Sequence, residues 1–132
     1  MLKIIKTFFT LSIAAFVLLS FTPKPAILKS TVTTISWEKE SYDFGEIVQA
    51  KPVFTSFTFI NQGNEPILVS DVVTSCGCTA SDYSKEPIMP GKSSSIKVTY
   101  NAATVGAFAK TITVNFNDVT AKKVLTIKGA VK

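Results

Sequence analysis

Histidine and arginine are both absent from the 132 residues of this chain. Without histidine, neither a Ser-His-Asp triad nor a Cys-His nucleophile pair can be built, which excludes the commonest hydrolase chemistry. Two cysteines without histidine also cannot complete an ordinary tetrahedral zinc site. Nucleic-acid binders normally use arginine forks on phosphate and guanine. The sequence therefore predicts a protein that is not an enzyme and does not bind nucleic acid.

Cysteine is nearly absent as well, and the two that occur, Cys76 and Cys78, are separated only by Gly77. In an extended strand, Cα atoms two residues apart are roughly 6.6 Å apart. A disulfide accepts Cα separations of about 4.4–6.8 Å, and a glycine between the cysteines lets the backbone fold more tightly. A disulfide within the motif is therefore possible, and it would close a very small ring.

Three interpretations of this pair stay open. The cysteines could be structural, either as buried thiols or as a structural disulfide, since free cysteine is among the most buried residue types. They could form an exchangeable dithiol or hold Cu(I), with the Met89 thioether as a third soft ligand, although methionine is more often a core filler. They could also pair with another chain.

Residues 1–21 have the pattern of a targeting segment. Lys3 and Lys6 precede an apolar run of 15 residues from Thr7 to Phe21. That length suits a signal peptide and is short of the ~20 residues that cross a bilayer. We expect cleavage between Ser20 and Ala26, with an uncleaved membrane anchor as the alternative. Export would place the domain in the periplasm or outside the cell, where disulfides persist.

The remainder divides into a linker and one domain. Pro23 and Pro25 predict an extended linker over residues 22–30. Residues 31–132 show the alternating, β-branched pattern of short strands. The exception is the segment from Ala80 to Lys92, where Pro87, Pro90 and Gly91 predict irregular structure. The strands are predicted at Val32–Trp37, Ser41–Ile47 with a break at Gly45, Phe54–Ile60, Ile67–Val73, Ser95–Tyr100, Phe108–Phe116 and Leu125–Val131.

About seven evenly spaced strands and no helical periodicity predict an all-β fold, an immunoglobulin-like β-sandwich. The strand from Ile67 to Val73 is apolar on both faces, which predicts a central position in its sheet. The inward face of the other strands gives the expected core: Phe57, Phe59, Val98, Tyr100, Ile112, Val114 and Leu125.

Several ordered strings resemble the bacterial domain-of-unknown-function family 1573, over nearly all of residues 35–132. The resemblance implies a fold like that of Hydin-type and other immunoglobulin-like modules, and it implies no activity. Within the strings, Ser75, Gly77, Thr79, Pro90 and Gly91 are the residues that accompany the cysteines. The strings are DFGEI (43–47), FTFINQG (57–63), PILV (66–69), SCGCT (75–79), PIMPG (87–91) and GAFAK (106–110).

Two functions from different classes follow. The first is an exported, non-enzymatic immunoglobulin-like domain, without a cofactor, that binds or scaffolds another envelope or extracellular protein through edge strands or end loops. The alternative is an extracytoplasmic thiol-redox or Cu(I)-binding protein that uses Cys76 and Cys78. Contact with a membrane is expected only if the leader is not removed.

Overall fold

The computed structural model describes residues 34–118 and 121–132, and the predicted leader, the linker and the first residues of the predicted first strand lie outside that part of the chain. The described residues form no helix that could cross a membrane. They confirm the all-β prediction. The eight strands are β1 (Ile35–Trp37), β2 (Ser41–Ile47), β3 (Val53–Asn61), β4 (Val69–Thr74), β5 (Thr79–Tyr83), β6 (Ser93–Tyr100), β7 (Gly106–Phe116) and β8 (Lys122–Val131).

The strands form two four-stranded sheets. Sheet 1 has the order β1-β3-β6-β5, and sheet 2 has the order β2-β8-β7-β4. All neighbours are antiparallel except β2 and β8, which run parallel. The apolar side chains of both sheets form a shared core, so the architecture is the predicted immunoglobulin-like sandwich.

The core confirms the face assignment made from alternation. Each of the seven side chains predicted to be inward is at most 3% exposed. Aromatic rings extend the core towards both ends. Phe59 packs at ring-centroid distances of 4.8 Å from Trp37 and 5.5 Å from Phe116, while Tyr100 stacks on Phe108 at 4.0 Å. Aromatic side chains bury large apolar areas, so these contacts join the two sheets along the length of the sandwich.

The predicted break in β2 is confirmed at Gly45. Gly45 has a φ of 65°, and the pairing with β8 shifts register between Asp43 and Glu46. A left-handed residue at such a shift favours glycine because it has no Cβ. Three ion pairs along this side join β8 to β2 and the residue before it: Lys123–Glu40, Lys128–Asp43 and Lys132–Glu46.

Two predictions about strands were wrong. The segment after the cysteines was expected to be irregular, yet Thr79–Tyr83 forms β5, because the prolines begin only at Pro87. The strand predicted at Ile67–Val73 was expected to be central, yet β4 lies at the edge of sheet 2. Its second apolar face has other causes. Ile67 forms an isolated bridge with Ile88, and Val73 points outward and is half exposed.

Candidate functional site

The motif Ser75–Cys78 is the connection between the two sheets. Thr74 pairs with Ile112 at the end of the β4–β7 ladder, and Thr79 pairs with Tyr100 at the start of the β5–β6 ladder. The four residues between them therefore cross from the edge strand of sheet 2 to the edge strand of sheet 1. This position, at one end of the sandwich beside the core, agrees with the turn expected at Gly77.

Cys76 and Cys78 are joined in a disulfide, and their Cα atoms are 5.3 Å apart. That separation is shorter than the roughly 6.6 Å of an extended strand, because the motif turns instead of continuing β4. Both cysteines are half-buried, and Cys78 packs against the hydrophobic core. Of the interpretations left open by the sequence, the structure contains a disulfide within the motif.

Hydrogen bonds from several elements fix the backbone of this turn. The Cys76 carbonyl accepts from the Thr74 hydroxyl at 3.1 Å and from the Thr79 amide at 3.4 Å. The Cys78 carbonyl accepts the Asn101 amide at 3.0 Å. On the sheet 2 side, the Ser75 amide donates to the Thr111 carbonyl at 2.9 Å, and the Ser75 hydroxyl accepts the Thr111 amide at 3.1 Å. The two sulfurs are thus carried on a backbone held from both sheets.

The side chain of Thr79 is directed at the disulfide. Thr79 is 5% exposed, and its hydroxyl oxygen lies 3.6 Å from Cys76 Sγ. A disulfide sulfur carries no hydrogen, so the hydroxyl is the donor in this contact. Hydroxyls buried to this degree need a partner, and here the partner is a sulfur atom of the motif. Thr79, which the sequence placed only among the accompanying residues, is therefore the side chain in polar contact with the pair.

Met89, Pro90 and Gly91 lie at the opposite end of the sandwich. The Met89 carbonyl accepts the Lys92 amide at 3.0 Å, and the Gly91 amide donates to the Asn61 carbonyl at 2.7 Å, which closes the turn before β6. The cysteine motif adjoins the other end of β6, at Tyr100. Seven residue steps along an antiparallel strand span roughly 24 Å. The structure therefore does not bring the Met89 thioether to the two sulfurs.

Two further loops meet the motif at its end of the sandwich. Loop 48–52 bonds to loop 101–106 through the Ala50 amide and the Ala102 carbonyl, 2.9 Å apart, and Asn101 bonds to the motif as described above. We call the loops 48–52, 75–78 and 101–106 together the cysteine end. They contain no acidic residue and one lysine, Lys51.

Exposed apolar side chains are gathered on and beside the cysteine end. Val48 is 56% exposed and Val105 is 58% exposed. Phe54, the second residue of β3, is also exposed, and Lys97 Nζ lies 4.6 Å from the centre of its ring. The sequence analysis missed these residues, because alternation describes strands and says nothing about which loops adjoin. The lack of any carboxylate in both loops was the signal that could have drawn attention to them.

A metal centre of several protein ligands is not formed by the described residues. Within residues 34–118 and 121–132, no group of three or more cysteine, aspartate or glutamate side chains converges on one point.

The chain belongs to a family described as "Protein of unknown function (DUF1573)", which matches residues 35–131. No curated protein matches the chain. The match confirms the resemblance drawn from the ordered strings, among which the pair Cys76 and Cys78 is the most distinctive.

Solved structures share the fold at low sequence identity. A protein of unknown function from Porphyromonas gingivalis W83 is 17% identical with a TM-score of 0.64, over 80% of this chain and 50% of that one. The PapD-like domain 7 of human CEP192 is 9% identical with a TM-score of 0.66, over 86% and 95%. The Vibrio cholerae VesB protease is 16% identical with a TM-score of 0.59, over 74% and 31%. The chain thus spans half of the Porphyromonas protein and under a third of the protease.

Proposed function

We propose that this member of the DUF1573 family is an exported, non-enzymatic binding domain whose cysteine end docks on another envelope or extracellular protein. One observation carries the proposal: three loops, tied to one another by hydrogen bonds, gather exposed Val48, Val105 and the neighbouring Phe54 around a half-buried disulfide. Loops at the end of a rigid β-sandwich commonly carry its contacts, because the sheets fix their positions.

The chemistry of this surface defines the partner. Apolar side chains without neighbouring carboxylates favour an apolar patch on the other protein, since burial of such area is the main driving force of association. Lys51 is the one charge in the three loops, so a basic rim on the partner would be repelled and an acidic residue would be accepted. The opposite end differs: its loops carry Glu65, Lys85, Glu86, Lys92 and Asp118.

The test is chemical cross-linking of the tagged, exported chain in intact cells. Val48→Asp with Val105→Asp should abolish the heavier covalent product, because two carboxylates would then face the apolar patch. Val73→Asp with Val124→Asp is the matched control on the outer face of sheet 2, where the two valines are 51% and 48% exposed. The control should retain the product. Equal behaviour of both variants, or a product with twice the mass of the chain, would contradict the proposal.

A second candidate function is thiol chemistry at Cys76 and Cys78, either as an exchangeable disulfide or, in the reduced form, as a Cu(I) site. The disulfide at a half-buried position favours the first form. Soft thiolates suit Cu(I), and the pair would have to supply them without Met89. Reduced protein competing for Cu(I) with a chelator, while Cys76→Ser with Cys78→Ser does not compete, would support the Cu(I) form.

A further inference from the structure

We infer that Cys76–Cys78 is a thiol–disulfide exchange site for a protein dithiol, in which Cys78 Sγ is the attacked sulfur, Cys76 Sγ is the leaving group and Thr79 is the positioning residue. The inference rests on the second candidate function above. It assigns different roles to two cysteines that the sequence alone makes equivalent.

The difference between the sulfurs comes from Thr79. Its buried hydroxyl donates to Cys76 Sγ at 3.6 Å. A hydrogen bond to the charged form stabilises that form, and in exchange reactions the thiol with the lower pKa leaves faster. The backbone of Cys76 is also held by the Thr74 hydroxyl and the Thr79 amide, so the sulfur stays beside its donor when the S–S bond breaks.

The exchange proceeds in two steps. A thiolate of the partner attacks Cys78 Sγ, an S–S bond forms between partner and Cys78, and the electron pair of the broken bond leaves on Cys76 Sγ. The second thiolate of the partner then attacks the partner's own sulfur in the mixed disulfide and releases Cys78. The partner is oxidised to a disulfide, the domain is reduced by two electrons, and the two protons of the partner's thiols end on Cys76 and Cys78.

The charges around the pair do not oppose this assignment. Lys51 lies in the adjoining loop, and Lys110 precedes Thr111, which bonds to Ser75. Residues 93–114, which include the adjoining parts of β6 and β7, contain no acidic residue, and neither do the other two loops of the cysteine end. Asp82, further along β5, is opposite Lys97. Positive charge without a nearby carboxylate favours a thiolate at either cysteine, so the hydroxyl of Thr79 decides between them.

Wild-type protein provides the first test. The oxidised chain is treated briefly with glutathione as a monothiol probe, quenched with acid, digested and fragmented by mass spectrometry. Glutathione should be found on Cys78. Glutathione predominantly on Cys76, or equally on both cysteines, would overturn the assignment. This measurement needs no substitution, so it is decisive even if a variant at buried Thr79 fails to fold.

Reduction by dithiothreitol gives the second test. Thr79→Val should slow the reduction by about two- to tenfold, because one hydrogen bond of about 1 ± 0.5 kcal/mol is lost. In a Cys78→Ser background the same change should raise the pKa of the Cys76 thiol, measured by the pH dependence of alkylation. Thr79→Ser should restore both values. Thr74→Val, which removes a bond to the Cys76 carbonyl but none to sulfur, should leave the alkylation pKa unchanged.

An unchanged rate and an unchanged pKa in Thr79→Val would overturn the role of Thr79. Both small-thiol assays are independent of the partner that docks on the cysteine end. The variant Val48→Asp with Val105→Asp should therefore react with dithiothreitol at the wild-type rate even when its cross-linked product is lost, so the two proposals fail separately.

Discussion

Two glycines show how little a glycine's place in a motif says about its structural necessity. Gly77 lies between the cysteines, yet its φ is outside the left-handed region and an added Cβ would meet nothing within 4 Å. On β8, Gly129 has no distinctive motif, yet a Cβ there would lie 2.9 Å from both the Gly45 carbonyl oxygen and Phe108 Cζ. The constraint on β8 is therefore steric, and the sequence pattern gives no sign of it.

The stability of alanine variants should follow this difference. Gly77→Ala should leave the free energy of unfolding unchanged or raise it by up to about 1 kcal/mol, because alanine restricts the unfolded chain. Gly129→Ala should lower it by about 1–3 kcal/mol, because the backbone of β2 must move away from β8. Urea unfolding of both variants measures the two changes. A larger loss for Gly77→Ala than for Gly129→Ala would contradict the packing described for both residues.

At the residue scale, the sequence predicted which side chains are inside and failed to predict which side chains meet. Period-two alternation fixes the face of every strand residue, so buried Phe57, Phe59 and Ile112 could be assigned without coordinates. The contact between Thr79 and Cys76, and the proximity of Val48 to Val105, depend on turns that join different sheets. Spacing along the chain does not carry that information.

At the scale of elements, Asn61 organises the end of the sandwich opposite the cysteines. It is fully buried at the last position of β3. Its side-chain amide donates to the carbonyls of Glu65 and Ile88 at 2.8 and 2.9 Å, and its Oδ1 accepts the Gly63 amide at 2.9 Å. One side chain thus ties the turn after β3 to the segment that precedes β6.

Asn61→Ala should lower the free energy of unfolding by about 1–3 kcal/mol, because buried carbonyl groups lose their donors. Asn117 is the control at the same end: it is exposed, and its Oδ1 accepts the Leu68 amide at 2.8 Å. Asn117→Ala should cost at most about 1 kcal/mol, since water can replace an exposed bond. Chemical denaturation compares the two, and equal losses would show that burial of Asn61 is not what matters.

The strands themselves were mostly predictable, whereas their neighbours were not. Seven of the eight strands coincide with predicted segments, and the eighth, β5, was masked by prolines that lie beyond its end. The position of β4 at the sheet edge was missed, because an apolar residue on the outer face, Val73, has the same pattern as one covered by a second layer. Hydrophobicity identifies a face, and only pairing identifies what adjoins it.

At the scale of the whole molecule, the two ends of the sandwich have different chemistry. The cysteine end is apolar and almost uncharged, whereas the opposite end combines acidic residues with lysines and is fastened internally by Asn61. Solvated charges and an internal hydrogen-bond network are typical of a structural end. Exposed valines and a half-buried disulfide are typical of an end that contacts something else. Both the docking proposal and the exchange proposal therefore concern the same end.

Both proposals also depend on the compartment, which is a property of the full chain and of its first residues. Lys3, Lys6 and the apolar run that follows predict export, and a disulfide such as Cys76–Cys78 persists in oxidising compartments. A chain without residues 1–21 should stay in the cytoplasm, where the cellular reductants keep both cysteines as thiols. Cell fractionation combined with alkylation and intact mass measures location and thiol state together. The full chain should be recovered outside the cytoplasm with no alkylated cysteine, and the truncated chain inside it with two. Recovery of both forms in the same fraction would refute the export prediction, and a fully alkylated exported chain would refute the oxidised state in which exchange begins.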